Sequence, residues 1–139
     1  RKIVFLGDTA YVRKPTSGVD HFCLYRALAD GITRSSGVKA DEKDVIRYAK
    51  EGLATTSNTI LKETLRDELE STIGKPGVMQ GEEVISLVSE RIKTPVVLLK
   101  DDKTLQPYVV NPSNSRREPI MLYFSGSIDS GHFESLAPA

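Results

Sequence analysis

Apolar residues in this chain keep helical spacing through the middle of the sequence and then collapse into unbroken β-branched runs. From Cys23 the residues Leu24, Ala27, Leu28 and Ile32 fall on one helical stripe, with Asp20 expected to cap it and Gly31 weakening its end. A second helix is predicted from Asp41 to Leu53, with Asp41, Glu42 and Asp44 placed to complement its dipole. A third is predicted over Ser57–Glu70, where Leu61, Leu65 and Leu69 are four apart. A fourth is predicted from Gly81 to Lys93, with Val84, Leu87, Val88 and Ile92 on one face. The period then changes. Thr94–Leu99 reads as a buried strand, Tyr108–Val110 as its return and Ile120–Phe124 as another. Lys2–Leu6 forms an additional strand and Tyr11–Arg13 an extended piece, before a loop at Pro15–Gly18. Helices and strands that segregate in this way predict an α+β domain rather than alternating βαβ units.

At 139 residues the chain suffices for one domain, 1–139, with a real core. It opens on Arg1 rather than Met, so it is expected to be excised from a longer protein. Its 19 basic and 19 acidic side chains balance, which gives no net pull toward nucleic acid or anionic membrane. No apolar stretch approaches the ~20 residues that span a bilayer. No cofactor or metal is expected, because one cysteine excludes both a disulfide framework and a multi-cysteine zinc site. A free thiol fits a reducing, cytoplasmic compartment.

That cysteine, Cys23, stands where the first predicted helix begins. Unpaired N–H groups and the positive end of the dipole stabilise a thiolate there, and with the preceding loop they offer an oxyanion hole. The chain has two histidines, His21 and His132. His132 follows a strand and a loop 109 positions after the cysteine, so only the fold can bring them together. As an imidazolium it would pair with the thiolate and protonate a leaving amine. A lone cysteine is more often a small apolar side chain, and lone histidines are mostly idle. The spacing leaves both readings open. His21 is expected at the surface.

The ordered blocks resemble the ovarian-tumour (OTU) family of cysteine proteases, mostly deubiquitinases. Asp20-His21-Phe22-Cys23-Leu24-Tyr25-Arg26-Ala27-Leu28 is similar to the family's Asp-Gly-x-Cys block and the helix after it. Pro119–Phe124 followed by Gly131-His132-Phe133-Glu134-Ser135-Leu136 is similar to its strand, loop and histidine block. Gly77–Val88 and Thr94–Val97 resemble the block between. The resemblance implies a papain-like fold, a small twisted sheet against helices, and hydrolysis of the isopeptide bond after the C-terminal Gly-Gly of ubiquitin. It implies Cys23 as nucleophile, His132 as base, and Asp20–Cys23 as the oxyanion loop. Asp20 is expected near that loop or the histidine. Glu134 stands where many members carry the residue that orients the imidazole, with Asp129 as another candidate.

Two departures stand out: His21 replaces the family's glycine, and Glu134 is one methylene longer than aspartate. The implied partner is ubiquitin, polyubiquitin or a ubiquitin-like modifier, met as a monomer. Glu82 and Glu83, or Asp101 and Asp102, are candidates to meet the arginines of the ubiquitin tail. The implied setting is one domain of a larger bacterial effector or viral protein acting in host cytosol. Two alternatives are a protease of the same fold that cuts its own polyprotein, and an inactive ubiquitin-binding module, for which His21 is the argument.

Overall fold

Strands buried on both faces need apolar residues at every position, and this explains the unbroken runs in the last third of the chain. A computed structural model describes residues 2–101, 108–110, 117–126 and 131–139. Asp102 and Asp129 lie outside them, as does part of the loop expected before His132. The described elements are β1 (Ile3–Leu6), β2 (Thr9–Lys14), α1 (Cys23–Ser36), α2 (Glu42–Thr55), α3 (Arg66–Thr72), α4 (Glu82–Ile92), β3 (Val96–Lys100), β4 (Tyr108–Val110), β5 (Ile120–Ser125) and β6 (His132–Pro138). The strands form one mixed sheet in the order β1-β2-β6-β5-β3-β4. Among the described strands only the β3–β5 pair is parallel, with Leu98 opposite Leu122. The class is α+β, as expected.

One sheet face meets the helices. Val96, Leu98, Ile120, Leu122 and Phe133 join Leu24, Leu28, Val45, Val84, Ile85 and Val88 in the main core. Each such side chain contributes about 1.5–3 kcal/mol relative to exposure. The other face holds Leu99, Met121, Tyr123 and Leu136, covered by Val4, Leu6, Tyr11 and Val97. Alternate residues of β3 and β5 therefore serve two cores.

Gly31 does more than weaken α1. A Cβ there would lie 2.5 Å from Ile120 Cγ2, so the missing side chain lets the helix lie directly on β5. The helix continues to Ser36. The second helix begins as read, with Asp41 and Asp44 forming a reciprocal capping box.

One expectation is corrected, and one strand is added. The third helix is not continuous: a π-helical turn spans Ile60–Thr64 before α3. Leucines four apart drift about 40° per step around an α-helix. The wider turn, closed by Leu65 N–H on Ile60 O, brings Leu61 and Leu69 both into the core. The segment after Gly131 is a full strand, β6, paired between β2 and β5. Its polar residues hid it from periodicity. Ser135 is fully buried because its Oγ donates to Asp30 Oδ2 on α1.

Candidate active site

β2 ends at Lys14, opposite Ser135, so the edge of β6 is unpaired by β2 beyond that point. Cys23, the first residue of α1, fills the gap. The Phe133 N–H donates to Cys23 Sγ at 3.5 Å, which sets the thiol against the residue after His132. The first helical turn, with its unpaired N–H groups, begins at the same residue. The imidazole of His132 lies against the loop before the helix. A Cβ on Gly18 would be 3.7 Å from both its Cε1 and its Nδ1. The fold thus brings two residues 109 positions apart to the same end of β6. Among the described residues no hydrogen bond joins thiol to imidazole, and Cys23 is only 4% exposed.

The turn before the thiol is wound tightly. His21 N–H donates to Gly18 O at 3.0 Å and Phe22 N–H to Val19 O at 3.2 Å. Asp20 and His21 both adopt left-handed conformations, with φ of 62° and 60°. His21 therefore takes up the backbone conformation that a glycine would adopt freely, at a cost of about 1–2 kcal/mol. Histidine and aspartate are among the side chains that tolerate it best. Both are exposed, as expected for His21.

The four residues expected to form the oxyanion loop differ in what their backbone groups do. The N–H groups of His21 and Phe22 are taken within the turn, and the first-turn donors from Cys23 onward face outward from the helix end. Asp20 does not cap α1, whose N-cap is Phe22 with no side-chain cap bond. Its carbonyl instead accepts from Gly77 N–H at 2.9 Å, fastening the turn to the loop before α4.

Glu134 shares a strand face with His132, but its carboxylate is committed elsewhere. Its Oε1 accepts from Arg13 Nε at 2.6 Å and lies 2.5 Å from Arg13 Nη2. Arg13 also covers the Tyr123 ring at 4.5 Å. The Tyr123 hydroxyl donates to Asp101 Oδ1 at 3.3 Å, and burial with the Asp101 charge raises its pKa.

Beside Phe133 opens a cavity of about 430 Å³, lined by Met79, Gln80, Glu82, Glu83, Lys100 and Phe124 among others. Glu82 pairs with Lys100 Nζ at 2.7 Å. Glu83 has no ion-pair partner among the described residues. Neither do three His, Cys, Asp or Glu side chains gather there as a metal site. No helix among them is long and apolar enough to cross a membrane.

Sequence reasoning missed Arg13 and Arg26, both anchored to the loops and strands of the site. Their only signal is an arginine where a polar residue would serve.

No protein-family model matches the chain, and no curated protein matches it. Solved structures do. An OTU deubiquitinase from Wolbachia pipientis wMel superposes with a TM-score of 0.71 at 14% identity, covering 96% of this chain and 91% of that one. An OTU domain in complex with ubiquitin gives 0.68 at 19% identity, over 94% and 72%. The viral OTU domain protease from Taggert virus gives 0.67 at 20% identity, over 99% and 84%. The chain has the ovarian-tumour fold, an α+β arrangement of the papain-like kind.

Proposed function

We propose that this chain is a cysteine-dependent deubiquitinase. The observation that carries the reading is the seat of Cys23: first residue of a helix, hydrogen-bonded to the amide of Phe133, in a fold shared with OTU deubiquitinases, some bound to ubiquitin. In this reading the Cys23 thiolate attacks the carbonyl carbon of the terminal glycine of ubiquitin, and the oxyanion meets the first-turn N–H groups of α1. Collapse of the intermediate breaks the C–N bond. The His132 imidazolium passes its proton to the leaving lysine amine, which leaves a thioester on Cys23. His132 then takes a proton from water as the water attacks the thioester, the C–S bond breaks to restore the Cys23 thiolate, and the tail leaves as a carboxylic acid that ionises in solvent. The chain works as a monomer and without a cofactor. It acts in a cytosolic compartment, where the thiol stays reduced.

The cavity beside Phe133 suits the extended tail. Apolar Met79, Leu98 and Phe124 line it, and Glu83 offers an uncommitted carboxylate to an arginine. The test is release of fluorophore from a C-terminal ubiquitin conjugate, with Cys23→Ala and His132→Ala in parallel. Both variants should lose activity by at least about a thousandfold, the scale of a missing nucleophile or base. Full turnover in Cys23→Ala would sink the reading.

A second reading has support in the burial of Cys23 at 4% and the missing thiol–imidazole bond. It makes the chain a ubiquitin-binding module without turnover. A ubiquitin bearing a C-terminal electrophile separates the two. A covalent adduct on Cys23 supports the enzyme, whereas reversible binding without an adduct supports the module.

A further inference from the structure

Arg26 lies one helical turn after Cys23 and reaches back over the loop before it. Its Nη1 donates to Val19 O at 2.7 Å and to Ser17 O at 3.0 Å. These carbonyls flank Gly18, the residue on whose Cβ side the His132 imidazole lies, at the distance where one methyl would just touch it. Its Nε lies 3.0 Å from Glu42 Oε2 on α2, and its guanidinium sits 5.7 Å from the Phe22 ring centroid. That Glu42 oxygen is buried without another partner, so the ion pair fixes the guanidinium from behind.

One planar side chain therefore holds both carbonyls around Gly18 and the aromatic residue preceding the thiol, and ties them to a second helix. The segment it holds, Ser17–Phe22, contains the two left-handed residues Asp20 and His21. A strained turn persists only where its surroundings over-determine it. Arg26 and the Gly77 N–H on Asp20 O are the anchors that do so from outside the turn.

We infer that Arg26 is a positioning residue: by clamping Ser17 and Val19 it holds the loop that passes beside His132 and leads into Cys23, and so sets thiol and imidazole relative to each other. It touches neither the thiol nor the substrate. The inference builds on the hydrolase reading, but its first test needs no ubiquitin. The rate of Cys23 alkylation by iodoacetamide against pH reports the thiolate and its coupling to the imidazole. His132→Ala supplies the uncoupled profile.

Arg26→Lys keeps the charge but loses the planar fork that spans two carbonyls and a carboxylate. Its alkylation profile should move from the wild-type toward that of His132→Ala, and Arg26→Ala should move further. With a fluorogenic ubiquitin substrate, kcat should fall about tenfold for Arg26→Lys and about a hundredfold for Arg26→Ala, as for a misplaced catalytic group, while KM stays within about twofold. If Arg26→Ala fails to fold by circular dichroism, Arg26→Lys decides.

Arg26 profiles that coincide with wild type would overturn the inference, and so would a wild-type profile identical to that of His132→Ala. A rise in KM with an unmoved alkylation profile would likewise overturn it, assigning Arg26 to substrate binding. A wild type that alkylates with imidazole coupling but cleaves no ubiquitin conjugate would defeat the deubiquitinase reading and leave this inference standing.

Discussion

The imidazole of His132 lies beside Gly18 with room for one methyl between them, since a Cβ there would lie 3.7 Å from both Cε1 and Nδ1. That distance is ordinary van der Waals contact, and Gly18 has φ of −91°, which any residue can adopt. Glycine is therefore tolerant of one methyl there but not of a branched side chain. Gly18→Ala should cost only severalfold in kcat. Gly18→Val should displace the ring and lower kcat by about a hundredfold, with KM little changed. Steady-state kinetics on a ubiquitin fluorophore conjugate checks both. Equal activity in the two variants would show that the ring is not confined on the side of Gly18.

Glu134 gives a second separable outcome. Its carboxylate holds Arg13, and both side chains are largely buried, at 13% and 16% exposed. Glu134→Gln should destabilise the sheet by roughly 1–3 kcal/mol, since a guanidinium loses its charged partner. The urea midpoint reads this directly. Measured well below the melting temperature, kcat should fall by less than about threefold. A collapse of kcat with an unmoved midpoint would instead assign the carboxylate to the imidazole.

How far the sequence could be read follows the same division. α1, α2 and α4 show their apolar stripes, and β3 and β5 read as strands because both faces are covered. β6 escaped because its centre is stabilised by pairing on both sides and by the Ser135–Asp30 bond, neither of which leaves an apolar period. Cys23 and His132 could be selected from residue type and order. The commitment of Glu134 to Arg13 could not, because that partner lies 121 positions away on a strand joined only through sheet order. The left-handed backbone at His21 was legible in a different sense: the resemblance expects glycine there, and the chain adopts the conformation without the residue.

That substitution has a thermodynamic consequence. His21 is exposed and its φ is 60°, so replacing it with glycine removes steric strain at a modest entropic cost in the unfolded chain. His21→Gly should raise stability by up to about 1 kcal/mol. His21→Val, whose branched side chain tolerates this region poorly, should lower it. Thermal or urea unfolding of the three proteins orders them Gly, His, Val. Any other order would show that the turn is not strained at this position.

The capping box of α2 predicts a pH signature. Asp44 accepts the Asp41 N–H at 3.0 Å and lies beside Arg47, and these hold its carboxyl below the ordinary value. A depressed folded pKa stabilises above the unfolded value, near 3.9, and the contribution is lost as pH falls through the folded value. The gap in urea midpoint between wild type and Asp44→Ala should be present at pH 6 and narrow steadily below about pH 4. A gap that is constant with pH would remove the carboxylate charge from the explanation.

Glu83 tests the direction in which the substrate lies. It lines the cavity beside Phe133 and is uncommitted among the described residues, whereas Glu82 is held by Lys100. An arginine in an extended ubiquitin tail would meet Glu83 as a partly exposed ion pair, worth about 1 kcal/mol or less, and reversing the charge adds repulsion to that loss. Glu83→Lys should therefore raise KM about tenfold and leave kcat within about twofold, with the effect shrinking as salt is raised. The Cys23 alkylation profile should not move, because the group of the cavity wall that meets the thiol is the Phe133 amide and not the Glu83 side chain. A KM unaffected by the reversal would place the tail outside this cavity, even if Cys23 proves to be the nucleophile.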